Sequence, residues 1–137
     1  MGFVAAIKSG FRNRINYSGR STRSEFWFWN LFVVLFSIAL FFVWGNILDR
    51  FLPKKAEDIA FLVALLIILA VTLPGFAVMA RRLHDLGRRG WWGLVFLIPL
   101  LGQIVFLVWM LMRGTRGANR FGEDPLTAKT SFVAAAA

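Results

Sequence analysis

The chain has no cysteine. That excludes disulfide frameworks, iron–sulfur ligation, thiol nucleophiles and cysteine-type zinc sites. It has one histidine, His84, which argues against a metal centre built from several imidazoles. Acidic side chains are scarce too, seven against 16 Lys and Arg in 137 residues, for a net charge of +9. Charged residues of both signs reach only 17%, where a soluble domain carries about a quarter. What fills the chain instead is apolar, 58% of its residues. Three stretches, residues 26–44, 59–79 and 91–112, hold no charge at all.

Those runs are 19, 21 and 22 residues long. At a helical rise of ~1.5 Å each covers about 28 Å or more, close to the ~30 Å hydrocarbon core of a bilayer. The chain therefore reads as an all-α integral membrane protein with three transmembrane helices. Pro74 and Gly75 near the end of the second run allow a kink there. The third contains Pro99 and Gly102, so it reads as a span kinked at Pro99, with a re-entrant hairpin turning at Pro99 to Gly102 as the alternative. All six tryptophans (Trp27, Trp29, Trp44, Trp91, Trp92, Trp109) fall at or near run ends, where headgroups meet hydrocarbon.

The first 24 residues carry five basic groups and no acid. Their apolar residues Val4, Ile7, Phe11 and Ile15 recur every three or four positions, which predicts an amphipathic helix over residues 2–16 lying in the headgroup plane. The apolar part is short and the charges follow it, unlike a cleavable signal. Residues 45–58 hold Asp49, Arg50, Lys54, Lys55, Glu57 and Asp58 around Pro53 and read as a polar loop. The domain organisation expected is one membrane domain, residues 1–126, and a flexible tail over 127–137.

The basic residues sit just outside the apolar runs, so anionic phospholipid and topology account for them without nucleic acid. Lys and Arg number five in the N-terminal segment, three in the first loop, four in the second and four in the tail. Three spans would divide them nine against seven, with the N-terminus cytoplasmic. A re-entrant third segment would return the tail to the cytoplasm and divide them thirteen against three.

Two polar segments could carry a function. Residues 80–90 bring Arg81, Arg82, Arg88 and Arg89 around His84 and Asp85. If helical, Arg81 and Asp85 lie one turn apart and Gly87 can end the helix in a left-handed cap. Four guanidiniums near a turn could grip a lipid phosphate or a partner's carboxylates. The simpler reading is a positively charged loop whose Asp85 pairs with its neighbours and whose His84 is exposed. The second segment, residues 113–125, has three glycines, Asn119 and Pro125 and reads as a series of turns. It lacks the Gly-Lys-Ser/Thr ending of a P-loop. It could fold back on the 80–90 segment, with Asp85, Glu123 and Asp124 available to the arginines. No serine, lysine or carboxylate stands at a telling spacing from His84, so no catalytic constellation and no cofactor site is expected. Within the spans the polar residues are Asn30, Ser37, Thr72 and Gln103, none ionisable, which argues against an ion or proton pathway.

Three stretches carry a family resemblance. They are Ser-Gly-Arg-Ser-Thr-Arg-Ser-Glu-Phe-Trp at 18–27, Arg-Arg-Leu-His-Asp-Leu-Gly-Arg-Arg-Gly-Trp-Trp at 81–92 with Leu-Ile-Pro-Leu-Leu-Gly at 97–102, and Gly-Thr-Arg-Gly-Ala-Asn-Arg-Phe-Gly-Glu-Asp-Pro at 114–125. In order and spacing the chain resembles the domain-of-unknown-function 805 family of bacterial inner-membrane proteins, with Arg89 standing where that family usually has serine. The resemblance implies a multi-pass protein of the bacterial cytoplasmic membrane and no known activity. It also implies that Arg20, Arg23 and Glu25, the Arg-Arg-Leu-His-Asp loop at 81–85, and the Asn-Arg-Phe-Gly tail at 119–122 form one functional unit. The function expected is that of a non-enzymatic accessory or scaffold component. It would bind other membrane proteins, further copies of itself or anionic lipid through Arg20, Arg23, Glu25, Arg81, Arg82, His84, Asp85, Arg88, Arg89, Asn119 and Arg120. The alternatives are an oligomeric transporter or channel element, and a lipid-phosphate enzyme using His84 and Asp85.

Overall fold

The computed structural model describes residues 1–44, 46, 50 and 53–127. The expected flexible tail beyond residue 127, and residues 45, 47–49, 51 and 52 of the expected first loop, lie outside them. Helix α1 spans Phe3–Arg12, α2 Arg23–Val43 and α3 Lys54–Asp85. A 3₁₀ helix over Gly90–Leu97 and a short α4, Leu101–Leu111, complete the order. The described residues contain no strand, only an isolated bridge between Asn119 and Gly122.

Helix α2 starts where its sequence has a capping residue: Thr22 accepts the Glu25 N–H at 3.2 Å, satisfying one of the orphan donors of the first turn. Helix α3 runs past the expected end of the second span and takes up residues 80–85. It stops in a Schellman motif, in which the Arg88 N–H reaches the Leu83 carbonyl and the Gly87 N–H that of His84, both at 2.9 Å. Gly87 supplies the left-handed conformation, φ +71°, that such a cap requires.

Two helices, α2 and residues Asp58–Asp85 of α3, are long and apolar enough to cross a membrane, while α4 has only 11 residues. Among the described residues three full spans are thus not confirmed. The third apolar run breaks in two because Pro99 cannot continue a helix and Leu100 adopts φ +63°. The Leu101 N–H donates to the Pro99 carbonyl at 2.8 Å, closing a γ-turn. The two arms then fold back on each other, Trp92 against Trp109 at 5.8 Å and Phe96 against Phe106 at 5.4 Å between ring centroids. Gly102 lets them touch, since a Cβ there would run into the Val95 carbonyl oxygen.

Exposure is inverted relative to a soluble domain. Along the spans large apolar residues face outward, Phe41 at 75% and Leu73 at 56% exposed, whereas Arg82 is 0% exposed. Such a surface suits hydrocarbon. The small apolar core of Phe26, Trp29, Val78, Leu83 and Met110 lies where α2, the end of α3 and the end of α4 meet.

Helix α1 packs against Trp29 of this core, while its Val4 stays exposed. It ends at Arg12, short of the expected residue 16, and Ile15 is 82% exposed. The buried positions are Ala6 and Gly10. Gly10 is needed because the Trp29 ring occupies the space its Cβ would fill, while on the other side the Trp29 Nε1 edge faces Gly75 of α3. Phe11 closes the slot, edge-to-face on Trp29 at 5.2 Å.

Candidate functional site

The ends of α2, α3 and α4 and the 113–125 segment converge at one pole, and the charged residues meet there. Asp85, the last residue of α3, is the centre. Its carboxylate accepts from the Arg20 Nε at 2.9 Å and from Arg82 Nη1. All three side chains are buried, Arg20 to 1%, Arg82 to 0% and Asp85 to 7% exposure. Arg81 lies one turn before Asp85, as expected, but turns away from it toward Glu25 of α2, in an ion pair at 3.3 Å. The helical geometry explains this: Asp85 meets Arg82 at i, i+3, which leaves Arg81 on the α2-facing side.

Glu25 occupies the third position of a Thr-x-x-Glu capping box, yet its side chain does not bend back to the cap. It accepts from Ser9 of α1 at 2.7 Å and from Ser21 at 2.9 Å, in addition to facing Arg81. These two serines satisfy the lone pairs a buried carboxylate would otherwise lose to desolvation.

The arginines also tie down main chain. Arg82 Nη2 donates to the Met112 carbonyl and, at 3.4 Å, to that of Met110, while Arg23 Nη1 reaches the Leu111 carbonyl between them at 3.2 Å. Carbonyls at the C-terminus of α4 have no intrahelical donors and carry the negative end of its dipole, so two guanidiniums are favourable partners. Arg20 does the same for the turns, donating to Gly117 at 2.6 Å and to the Thr115 carbonyl.

The turn segment is as ordered as its glycines and Asn119 predict. Asn119 and Gly122 exchange two backbone hydrogen bonds at 3.0 Å, and the Asn119 amide donates to the His84 carbonyl at 3.0 Å. Asp124 accepts the N–H groups of Leu126 and Gly117; these bonds, with Arg20 nearby, hold its carboxyl below the usual range. The segment does fold back on residues 80–90, and the Thr115 N–H joins the Asp85 carbonyl at 2.8 Å.

His84 is not the exposed histidine expected. It is half-buried, with Nδ1 3.1 Å from the Gly19 carbonyl, and the Phe121 ring stacks on it at 4.0 Å and 2°. Arg120 donates to the Gly87 carbonyl at 2.8 Å, so it clasps the end of α3. Arg88 lies over the Trp109 ring at 4.0 Å, a cation–π contact that pins the hairpin. Arg89 stays exposed at the start of the 3₁₀ helix.

Of the candidate residues, Arg20, Arg23, Glu25, Arg81, Arg82, His84, Asp85, Asn119 and Arg120 come together. Their charges are largely spent on one another and on backbone. Beside them opens a cavity of about 640 Å³ lined by Arg23, Arg113 and Arg116, by the carboxylates of Asp85 and Asp124, by Thr22, Ser24 and Thr115, and by Trp27 and Leu111. Arg113 and Arg116 were absent from the expected site. They are exposed, with no ion-pair or hydrogen-bond partner among the described residues. Ser9, Ser21 and Phe121 were missed as well; only their partners in space, not their spacing, reveal them. Among the described residues no group of three or more His, Asp or Glu is placed to hold a metal.

Comparison with known proteins supplies the context. The chain is 38% identical over 117 residues to inner membrane protein YhaI of Escherichia coli (strain K12), covering 85% of this chain and 92% of that protein. It is 36% identical over 114 residues to inner membrane protein YhaH of the same strain, with 83% and 90% covered. Uncharacterized protein YiiR is 28% identical over 134 residues, 80% of this chain and 85% of its own length. No solved structure matches the chain. Residues 14–123 match the family described as protein of unknown function (DUF805), a span that takes in the first two polar motifs, all but the last two residues of the third, and both long helices, and the chain belongs to that family.

Proposed function

We propose that this protein is a non-enzymatic component of the bacterial cytoplasmic membrane that binds anionic phospholipid, and through it membrane partners, at the arginine-lined cavity. The observation that carries this reading is a division of labour among the cations. Arg20, Arg81 and Arg82 are buried against Asp85 and Glu25, whereas Arg23, Arg113 and Arg116 face an open cavity. Hydroxyls and Trp27 add donors and an interfacial aromatic, and the two carboxylates in the lining are already engaged, Asp85 by Arg20 and Arg82 and Asp124 by the Gly117 and Leu126 N–H groups.

In this reading α2 and α3 cross the bilayer and the 90–111 hairpin is re-entrant, entering and leaving on the side of the charged pole. Its short arms need not cross; they pack on each other through Trp92 with Trp109 and Phe96 with Phe106, and Gly93 lies against Met79 and Leu83 of α3. The N-terminal segment, the second loop and the tail then share the cytoplasmic side and carry thirteen of the 16 Lys and Arg, as the positive-inside rule favours.

The test is native mass spectrometry of the protein purified in mild detergent. The wild type is expected to retain phosphatidylglycerol or cardiolipin. Each of Arg23→Gln, Arg113→Gln and Arg116→Gln should weaken retention about fivefold, the equivalent of roughly 1 kcal/mol per basic residue at an anionic surface. Retention unchanged in the triple variant would overturn the proposal.

A further inference from the structure

A second cavity, about 930 Å³, opens on a different face of α2 from the arginine-lined one, between α2, α3 and the hairpin. Its wall on α3 runs from His84 through Ala80 and Gly75 to Thr72. That is three helical turns, ~18 Å along the axis, so it extends from the charged pole toward mid-membrane depth. None of its lining residues is Asp, Glu, Lys or Arg. A phosphate head would find no counter-charge there.

The cavity is nonetheless not purely apolar. The Trp29 Nε1 is buried with no hydrogen-bond partner, and its edge faces Gly75, another wall residue, where a Cβ would lie 3.2 Å away. A buried indole N–H in that condition calls for an acceptor that the chain itself does not supply. At the polar end stands His84. A carbonyl can only accept, so the Gly19 carbonyl at 3.1 Å places the proton of the neutral ring on Nδ1 and leaves the lone pair on Nε2. That nitrogen faces Gly90, which also lines the cavity, at 3.8 Å from the Cβ position. Phe121 stacked on the ring fixes its orientation. Asn30 adds an acceptor: its amide nitrogen is used by the Phe26 carbonyl at 2.8 Å, which leaves Oδ1 free for a donor.

From this complement we infer that the cavity binds an amphiphile with an uncharged head bearing hydroxyl or carbonyl groups and a single long apolar chain. A hydroxyl donates to His84 Nε2, an oxygen lone pair accepts from Trp29 Nε1, and the chain lies along Phe76, Leu97 and Phe106. The volume falls within the range of ligand sites, ~300–1,000 Å³. This site is independent of the anionic cavity, which shares none of its lining residues.

The experiment uses the full-length protein in detergent micelles and reads quenching of tryptophan fluorescence by a monoacylglycerol brominated on its chain, with brominated phosphatidylglycerol as the charged control. Expected is saturable quenching by the neutral probe, weakened about fivefold by His84→Phe, the loss of one hydrogen bond of ~1 kcal/mol. Thr72→Phe, which fills the deep end, should abolish saturation. Thr72 bonds only within its own helix, to the Ile68 carbonyl, so this variant keeps the test valid even if His84→Phe fails to fold. Linear, non-saturable quenching, or equal saturable quenching by phosphatidylglycerol, would overturn the inference; the second outcome would make this a groove for bulk lipid.

Discussion

Asp85→Asn is the most informative single change. It conserves shape, so no cavity opens, but it removes the one charge that neutralises two guanidiniums. Arg20 and Arg82 are 1% and 0% exposed and cannot turn to water without unpacking the pole. The new amide still accepts at Oδ1, yet presents N–H donors where Oδ2 accepted from Arg82. Breaking a buried pair while its partner stays costs about 3–5 kcal/mol, against ~0–1 kcal/mol for an exposed pair. Two partners here place the loss at the upper end, about 4–5 kcal/mol, a large part of the ~5–15 kcal/mol that holds most proteins folded. Reversible unfolding in mixed micelles, followed by tryptophan fluorescence, measures it. Replacing Arg20 by Met in the Asp85→Asn background should recover part of the loss, because one stranded charge is gone. A cost below about 1 kcal/mol for Asp85→Asn, the value of a solvated pair, would refute the burial argument.

Glu25→Gln should cost less than Asp85→Asn, about 2 kcal/mol, since one of Ser9 and Ser21 can still donate to the amide oxygen, the other hydroxyl can turn to accept from the amide NH2, and only Arg81 loses its charge partner; the same unfolding assay ranks the two. Gly10→Val should detach α1 by driving a side chain into the Trp29 ring, read as faster proteolysis within residues 3–12 while α2 and α3 stay protected. Leu100→Gly should stabilise the hairpin by about 1 kcal/mol, because φ +63° strains any residue with a Cβ, and a higher midpoint in the unfolding assay checks it. Asp124 has its carboxyl pKa lowered by folding, so the order it gives the turn segment is fully present above the ordinary carboxylate value of ~3.9 and is lost as pH falls through the lower folded value. Protection of the Gly117 and Leu126 amides, relative to their intrinsic exchange rates at each pH, should follow that acid transition in the wild type and show no such transition in Asp124→Asn.

Much of this was legible in the sequence because the determinants are local. Uncharged runs of spanning length and Gly87 after Asp85 each point to an element or its end within a few residues. The turn-forming character of residues 113–125 and its folding onto residues 80–90 were legible too, from glycine, Asn119 and the charge balance. The rest depended on tertiary geometry. Residues 91–112 have the length of a span, and composition alone does not reveal that the two arms on either side of Pro99 pack on each other, as Trp92 does on Trp109. Counting arginines also misplaced the available charge. A guanidinium in a motif looks the same whether it ends buried on Asp85, like Arg20 and Arg82, or facing a cavity, like Arg113 and Arg116. Glycines at 10 and 75 gave no periodic signal, because each answers to one tryptophan on a third helix.

The central claim is that both termini and the charged pole share one side of the membrane, with the 90–111 hairpin returning to the side it left. Alkaline phosphatase, active only outside the cytoplasm, and green fluorescent protein, fluorescent only inside it, fused in turn before residue 1 and after residue 127, test this directly. The account predicts fluorescence and no phosphatase activity at both positions. Phosphatase activity at residue 127 with fluorescence at the N-terminus would mean three crossings, and would contradict it.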